Sequence, residues 1–190
     1  MIYPYQGVYP QIDPSVFMTE DVIIVGDVRI AEDVNIWFGT VIRGDVNRVS
    51  IGARTNIQDN CTLHETWKKY PLVLGADVTV GHGAILHACT IEDACLIGMG
   101  AKVLDNAVVG SESLVAAGAV VREGYHVPPG TLAAGVPARV IRDLRDEERA
   151  HVRNSAGNYL HYVAEYRKHH DIEKGLDFHS YLEYRKKGRI

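Results

Sequence analysis

Residues 91–121 read IEDACLIGMGAKVLDNAVVGSESLVAAGAVV, and an aliphatic residue returns every six positions: Ile91, Ile97, Val103, Val109, Val115 and Val121. Upstream the same spacing runs through Ile24, Ile30, Ile36 and Ile42, then Ile51, Ile57 and Leu63, then Leu74, Val80 and Leu86. Small residues tend to sit four places on, at Thr40, Thr55, Ala84, Ala101, Ala107 and Ala119. Glycine often follows the aliphatic directly, as at Gly52, Gly75, Gly81, Gly98 and Gly110. A period of six suits neither an α-helix nor a simple alternating strand. It marks a hexapeptide β-helix, a solenoid of short strands and tight corners with one aliphatic per hexad pointing inward.

The chain is therefore expected to be mainly β: a parallel β-helix of hexapeptide repeats with a C-terminal α-helix packed along it. Residues 1–142 form the β-helix domain. They comprise a lead-in (1–21), some five coils of three hexads (22 to about 126), and an exit rich in Pro and Gly (124–142). Residues 143–190 form a helical segment of the same domain. Asp143 is expected to cap a helix over 143–170, with Asp146, Glu147 and Glu148 in its first turn. Leu144, Val152, Tyr159, Val163 and Tyr166 would share its apolar face. The last twenty residues are expected either to form a shorter helix around Phe178 to Tyr184 or to fray. A β-helix has an open end and exposed edges, which a helix folded back along it would cover.

With 190 residues the chain can bury the core of one domain. A net charge of -4 gives no basic face for nucleic acid, and the run Arg185 to Arg189 reads as a solvated terminus. No apolar stretch reaches transmembrane length, and residues 1–11 do not resemble a secretory signal. The expectation is a soluble, cytoplasmic protein with no membrane partner. Cys61, Cys89 and Cys95 form no CxxC pair and read as small buried thiols.

Three breaks interrupt the repeat. Ile42 to Ile51 is nine residues, which makes 44–48 a bulge. Leu63 to Leu74 is eleven, which makes 65–72 an excursion loop, and Leu86 to Ile91 is only five. Breaks in a regular solenoid often mark function. With the loops treated as excursions from corners, the hexads at Ile42, Leu63 and Leu86 stack on one face. Stacked strands lie about 4.8 Å apart, so His64 and His87 project side by side. The hexads at Ile57 and Val80 share the neighbouring face, where Asp59 lies one coil below His82, beside Gln58. Three neutral imidazoles with an open fourth position are what makes a metal's water acidic. His82 is on another face, so a trimer in which His82 of one chain completes the site of the next is the simplest arrangement. His126, His151, His161, His169, His170 and His179 read as surface or satisfied core residues. Without other evidence Arg43 and Asp45 read as a turn with a surface ion pair.

Several motifs together resemble the γ-class carbonic anhydrase family of left-handed β-helix proteins. They are Arg43-Gly44-Asp45, Asn56-Ile57-Gln58-Asp59-Asn60, Leu63-His64 and Gly81-His82-Gly83-Ala84-Ile85-Leu86-His87. The resemblance covers nearly the whole chain. It implies left-handed winding, a homotrimer, and a metal at each subunit interface, Zn2+ or alternatively Fe2+ or Co2+. By carry-over His64 and His87 come from one chain and His82 from its neighbour. Arg43 and Asp45 would form an intersubunit ion pair, Gln58 would hydrogen-bond a metal-bound hydroxide, and Asn56 would orient Gln58. Tyr159 would enter the pocket, and Asp59 would support the ligands from behind. The implied reaction is reversible hydration of CO2. The chain departs from the best-characterised members, which carry an acidic loop for proton transfer. Val46 follows Asp45, and the loop Glu65-Thr66-Trp67-Lys68-Lys69-Tyr70-Pro71 is short and net basic. Glu65 is the acid left near His64. These features resemble the short-loop bacterial subgroup.

Three other functions compete. Gly135-Val136-Pro137-Ala138-Arg139-Val140-Ile141 resembles the exit segment of hexapeptide acyltransferases, which need one general base and a CoA groove. That chemistry does not need two stacked histidines and a third nearby. A metal-dependent acyl-CoA thioesterase could use the same centre, and a structural metal could hold a catalytically silent trimer.

Overall fold

The computed structural model describes residues 1–169; the segment around Phe178 to Tyr184, His170, His179 and the basic run 185–189 lie outside them. The chain winds into a solenoid of parallel strands on three faces, about seven turns long. The first face stacks Ile24, Ile42, Leu63, Leu86, Val103 and Val121 in register. The second stacks Ile12, Ile30, Ile51, Leu74, Ile91, Val109 and Val127. The third stacks Met18, Ile36, Ile57, Val80, Ile97, Val115 and Ala133. Two long strands, Ile23–Ile30 and Val41–Ile51, run round a corner and serve both of the first two faces. These inward residues are buried and form one continuous core, with Ile12 partly buried against it.

The solenoid is longer than the five coils expected. Gln11–Ile12 pairs with Arg29 and Ile30, and Phe17–Met18 pairs with Asn35 and Ile36, so much of the expected lead-in belongs to the stack. At the other end Val127 and Ala133 continue it. The period of six persists at both ends, and Met18 and Ala133 fill inward places that an aliphatic-only pattern passes over.

The regular corners are made the same way. The third residue after the inward one has positive φ: Asp33, Arg54, Asn60, Asp77, Ala94, Asn106 and Glu112, or a glycine such as Gly83 and Gly100. A non-glycine residue resists this conformation. Coil-to-coil bonds offset the cost, as where the Asn60 N–H donates to the Phe38 carbonyl at 2.8 Å and the Asp77 N–H to that of Ala53 at 2.9 Å. The small residue that follows is buried, and Thr40 and Thr55 use their hydroxyls to bond the Gln58 and Gly75 carbonyls. Gly81 is demanded by close approach: a Cβ there would lie 2.7 Å from the Met99 nitrogen of the next coil. All three cysteines are free and buried, and burial pushes Cys61 up to about 11 and Cys95 to about 12.

The exit is an antiparallel hairpin, Thr131–Gly135 with Ala138–Asp143. Helix α1 follows over Asp146–His169. Asp143 does not cap it, because it pairs with Thr131 in the hairpin. The cap comes from Glu148, whose carboxylate reaches back to accept from the Arg145 N–H at 2.9 Å and is clasped by the Arg142 and Arg145 guanidiniums. Those cations hold its carboxyl well below the usual range. Twenty-four residues span ~36 Å at 1.5 Å per residue, close to the ~34 Å of seven coils. The helix accordingly runs the length of the third face, from Arg149 against the Gly130 carbonyl to Arg167 against Ser15. Val152, Ala156 and Val163 are buried beneath it, and Tyr159 and Tyr166 pack on Trp37.

Candidate metal centre

His64 and His87 stand side by side on the first face because Leu63 and Leu86, their inward neighbours, are register partners. The Nδ1 of His64 lies 3.2 Å from the Nε2 of His87. Each ring presents its other nitrogen to a carboxylate: His64 Nε2 to Asp45 Oδ1 at 3.2 Å, His87 Nδ1 to Asp105 Oδ1 at 2.5 Å. A carboxylate draws the imidazole proton to its own side. Two lone pairs are then left facing each other, an arrangement that needs a cation or a shared proton between them. Two ligands of a tetrahedral ion with bonds of about 2.0–2.1 Å sit about 3.3 Å apart, so the spacing fits zinc.

His82 occupies the corner after Thr79–Val80. Its Nδ1 meets Asp59 Oδ2 at 2.6 Å, and its ring is exposed. Within one chain it does not join the pair. Among the described residues the close set of three potential ligands is Asp45, His64 and Glu65. That set is ill suited to an ion, because Asp45 is held by Arg43 at 2.5 Å as well as by His64. Partial burial pushes the Asp45 carboxyl up, but Arg43 and His64 outweigh it and hold it below the ordinary range. Asp105 behaves likewise, its burial outweighed by hydrogen bonds from Thr66 and His87.

Glu65 is buried, and its Oε1 accepts from the backbone N–H groups of Val46 and Asn47 at 2.8 and 2.9 Å, which fastens the bulge. Its Oε2 has no hydrogen-bond partner and lies 3.9 Å from His64 Nε2. On the third face Gln58 Oε1 accepts from the His82 N–H at 3.1 Å, and its Nε2 donates to Asn56 Oδ1 at 3.3 Å. Asn56 Nδ2 donates to Thr79 Oγ1 at 2.8 Å, and Thr79 bonds Ser155 of helix α1 at 2.7 Å. Tyr159 packs edge-on to Trp37 and Tyr162. Burial, then the Asp59 charge and Tyr162, raise its pKa, so its hydroxyl is a protonated donor at neutral pH.

Residues 88–123 match the bacterial transferase hexapeptide repeat (six repeats). A mitochondrial γ carbonic anhydrase of Arabidopsis thaliana is 46% identical over 79% of this chain and 56% of its own length. A carbonic anhydrase of Geobacillus kaustophilus is 45% identical over 78% of this chain and 81% of its own. The chain belongs to the γ-class carbonic anhydrase-like family of left-handed β-helix proteins. It spans little more than half the length of the plant relative. A solved structure of a Bacillus cereus protein described as a putative acetyltransferase superposes with a TM-score of 0.86 at 47% identity, over 88% of this chain and 97% of that one. Among the described residues Asp45 meets His64, Asp59 meets His82 and Asp105 meets His87. Sequence reasoning missed Asp105, Thr66, Thr79 and Ser155. The register that pairs His64 with His87 sets Leu104 level with His87 and leaves Asp105 one residue further on, so counting alone does not single it out. Ser155 carries no signal, because helix register against the solenoid is not written in either repeat.

Proposed function

We propose that the protein is a γ-type carbonic anhydrase-like metalloprotein that hydrates CO2 reversibly at sites shared between subunits of a homotrimer. The observation that carries this is the His64–His87 pair at 3.2 Å, with its lone pairs converging, and His82 turned outward on another face. His64 and His87 of one chain and His82 of a neighbour hold Zn2+ or Fe2+, each fixed from behind by its aspartate. A divalent ion in such a site supplies acidity, lowering the pKa of water towards ~7.

The chain's own residues then orient and shield. The Ser155 hydroxyl donates to the Val152 carbonyl at 2.8 Å, so it accepts from Thr79, which accepts from Asn56. That order fixes Asn56 Oδ1 towards Gln58, and Gln58 Nε2 keeps its second hydrogen for an oxygen of the substrate. Tyr159 offers a neutral donor from the helix side. Glu65 keeps one free oxygen beside His64 and is the acceptor available for a proton leaving the site. Arg43 neutralises Asp45 where the neighbouring chain is to pack.

The test is stopped-flow CO2 hydration on protein reconstituted anaerobically with Zn2+ or Fe2+, with metal assayed on the same sample. Activity should vanish in His82→Ala and in His87→Ala. Co-expressing the two variants should restore part of it, because a mixed trimer rebuilds an intact interface. Activity without complementation would place the site within one chain. Bound metal with no hydration would turn the assignment towards a thioesterase or a structural ion.

A further inference from the structure

We infer that the short loop over residues 65–71 sets the metal affinity of the centre through a relay, Thr66 to Asp105 to His87. The inference rests on His87 being a metal ligand, as proposed above. Asp105 lies on the corner after Lys102–Val103, one coil beyond His87. Its Oδ1 accepts from His87 Nδ1 at 2.5 Å, and its Oδ2 accepts from the Thr66 hydroxyl. Thr66 and Asp105 are 39 residues apart in sequence. With both oxygens engaged the carboxylate cannot rotate, and the His87 ring is held with Nε2 facing His64.

Thr66 is itself fastened on two further sides. Its N–H donates to the Tyr70 carbonyl at 3.2 Å, and its carbonyl accepts from Asn47 Nδ2 at 3.3 Å. The Lys68 N–H adds a bond to the Val46 carbonyl at 3.3 Å. Asn47 and Val46 belong to the bulge that follows Asp45, the carboxylate behind His64. One loop therefore braces the supports of both rings: Asp105 directly, Asp45 through the bulge. Neither Thr66 nor Asp105 reaches the space between the rings, so both are positioning residues. Such outer partners govern affinity because a ligand ring free to rotate must be ordered again when the ion binds.

The experiment measures the Zn2+ dissociation constant by chelator competition on the full chain. Its variants are Asp105→Asn, Thr66→Val and Thr66→Ser, with Trp67→Ala as a loop control whose side chain is exposed. Asp105→Asn should weaken binding about 10–100-fold. Thr66→Val should weaken it about 2–10-fold, the loss of one hydrogen bond. Thr66→Ser and Trp67→Ala should match the wild type. Thermal unfolding of each metal-free variant at one protein concentration shows that the fold is intact. Wild-type affinity in folded Asp105→Asn and Thr66→Val overturns the relay. A loss in Asp105→Asn alone overturns the role of the loop. Failure of the wild type to bind Zn2+ removes the relay together with the metal reading beneath it, so the two failures are distinguishable.

Discussion

Replacing Thr79 by Val tests whether helix α1 and Gln58 are joined by one hydrogen-bonded chain. Val copies the shape of Thr, so packing against Val80 and the helix is kept, and only the hydroxyl is lost. Thr79 is 4% exposed and Asn56 fully buried, so water cannot replace the missing partner. Ser155 loses little, because its hydroxyl still donates to Val152. Asn56 Nδ2 loses its acceptor, and an unsatisfied buried donor costs about 1–3 kcal/mol. The new methyl returns up to about 0.8 kcal/mol. From the middle of that range, about 2 kcal/mol, the methyl leaves an expected destabilisation of about 1–2 kcal/mol, read as a lower urea midpoint at fixed protein concentration, since an oligomer's stability depends on it. The amide of Asn56 is then free to turn and present its Nδ2 to Gln58, which sets donor against donor. CO2 hydration should fall by at least about tenfold, as expected when a positioning group shifts by a fraction of an ångström. Ser155→Ala should act in the same direction, and the double variant should lose less than the sum. A Thr79→Val protein within about 0.5 kcal/mol of wild type, with an unchanged rate, would refute the chain.

Ile57→Ala empties a fully buried place between Ile36 and Val80 and should cost about 2–5 kcal/mol, seen as a lower melting temperature. Acid should destabilise the metal-free fold through Asp45 and Asp105. Both carboxyls lie below their ordinary range, so their contribution is present above about pH 4 and is lost as pH falls through the lowered values. Asp45→Asn should flatten that limb of a melting-temperature profile. Removing metal with a chelator should lower the melting temperature, and titrating Zn2+ back should raise it, by about 2.7 kcal/mol of stability at about a hundred times the dissociation constant. A midpoint indifferent to Zn2+ would argue against any ion at this centre.

The hexad made the faces legible because each inward aliphatic is a separate vote on register, and neighbouring votes agree from Ile24 to Val121. Ile42, Leu63 and Leu86 stack as counted, and so His64 and His87 meet. The count lost the ends, where Met18 and Ala133 fill the same places without looking aliphatic or large. It also overlooked the left-handed corner residue, since Asp33, Arg54, Asp77 and Glu112 share geometry but no chemistry. The helix was legible in its apolar face and not in its start: Asp143 looks like a cap, yet the hairpin claims its backbone first. Asp59 behind His82 followed from stacking, because both stand two residues past paired inward residues, whereas Asp105 stands one residue past the position level with His87 and was not legible by that step. What no spacing could reveal is the lateral contact between Thr79 and Ser155, 76 residues apart, because it depends on where the helix settles across the face.

The three breaks in the repeat are one device. The bulge at 45–48, the loop at 65–71 and the five-residue step at 86–91 all fall at the corner between the first and second faces, in successive coils. A regular solenoid offers flat faces whose side chains are evenly spaced and evenly hydrated. Here two coils swell outward and the third is drawn in. Ala88 turns the shortened corner with positive φ, its N–H on the His64 carbonyl and its own carbonyl accepting from the Asn106 N–H. Because that corner is small and buried, nothing stands between the loop and the coil beyond it, and Thr66 can cross to Asp105. The bulge brings its backbone N–H groups to Glu65, so the first residue of the loop and the bulge lock together over His64. Irregularity costs paired strand in each coil, and the stacked irregularities recover it as contacts with one another. Those contacts end on the two aspartates that hold the histidine pair, which is why the departures from the repeat and the candidate metal centre coincide.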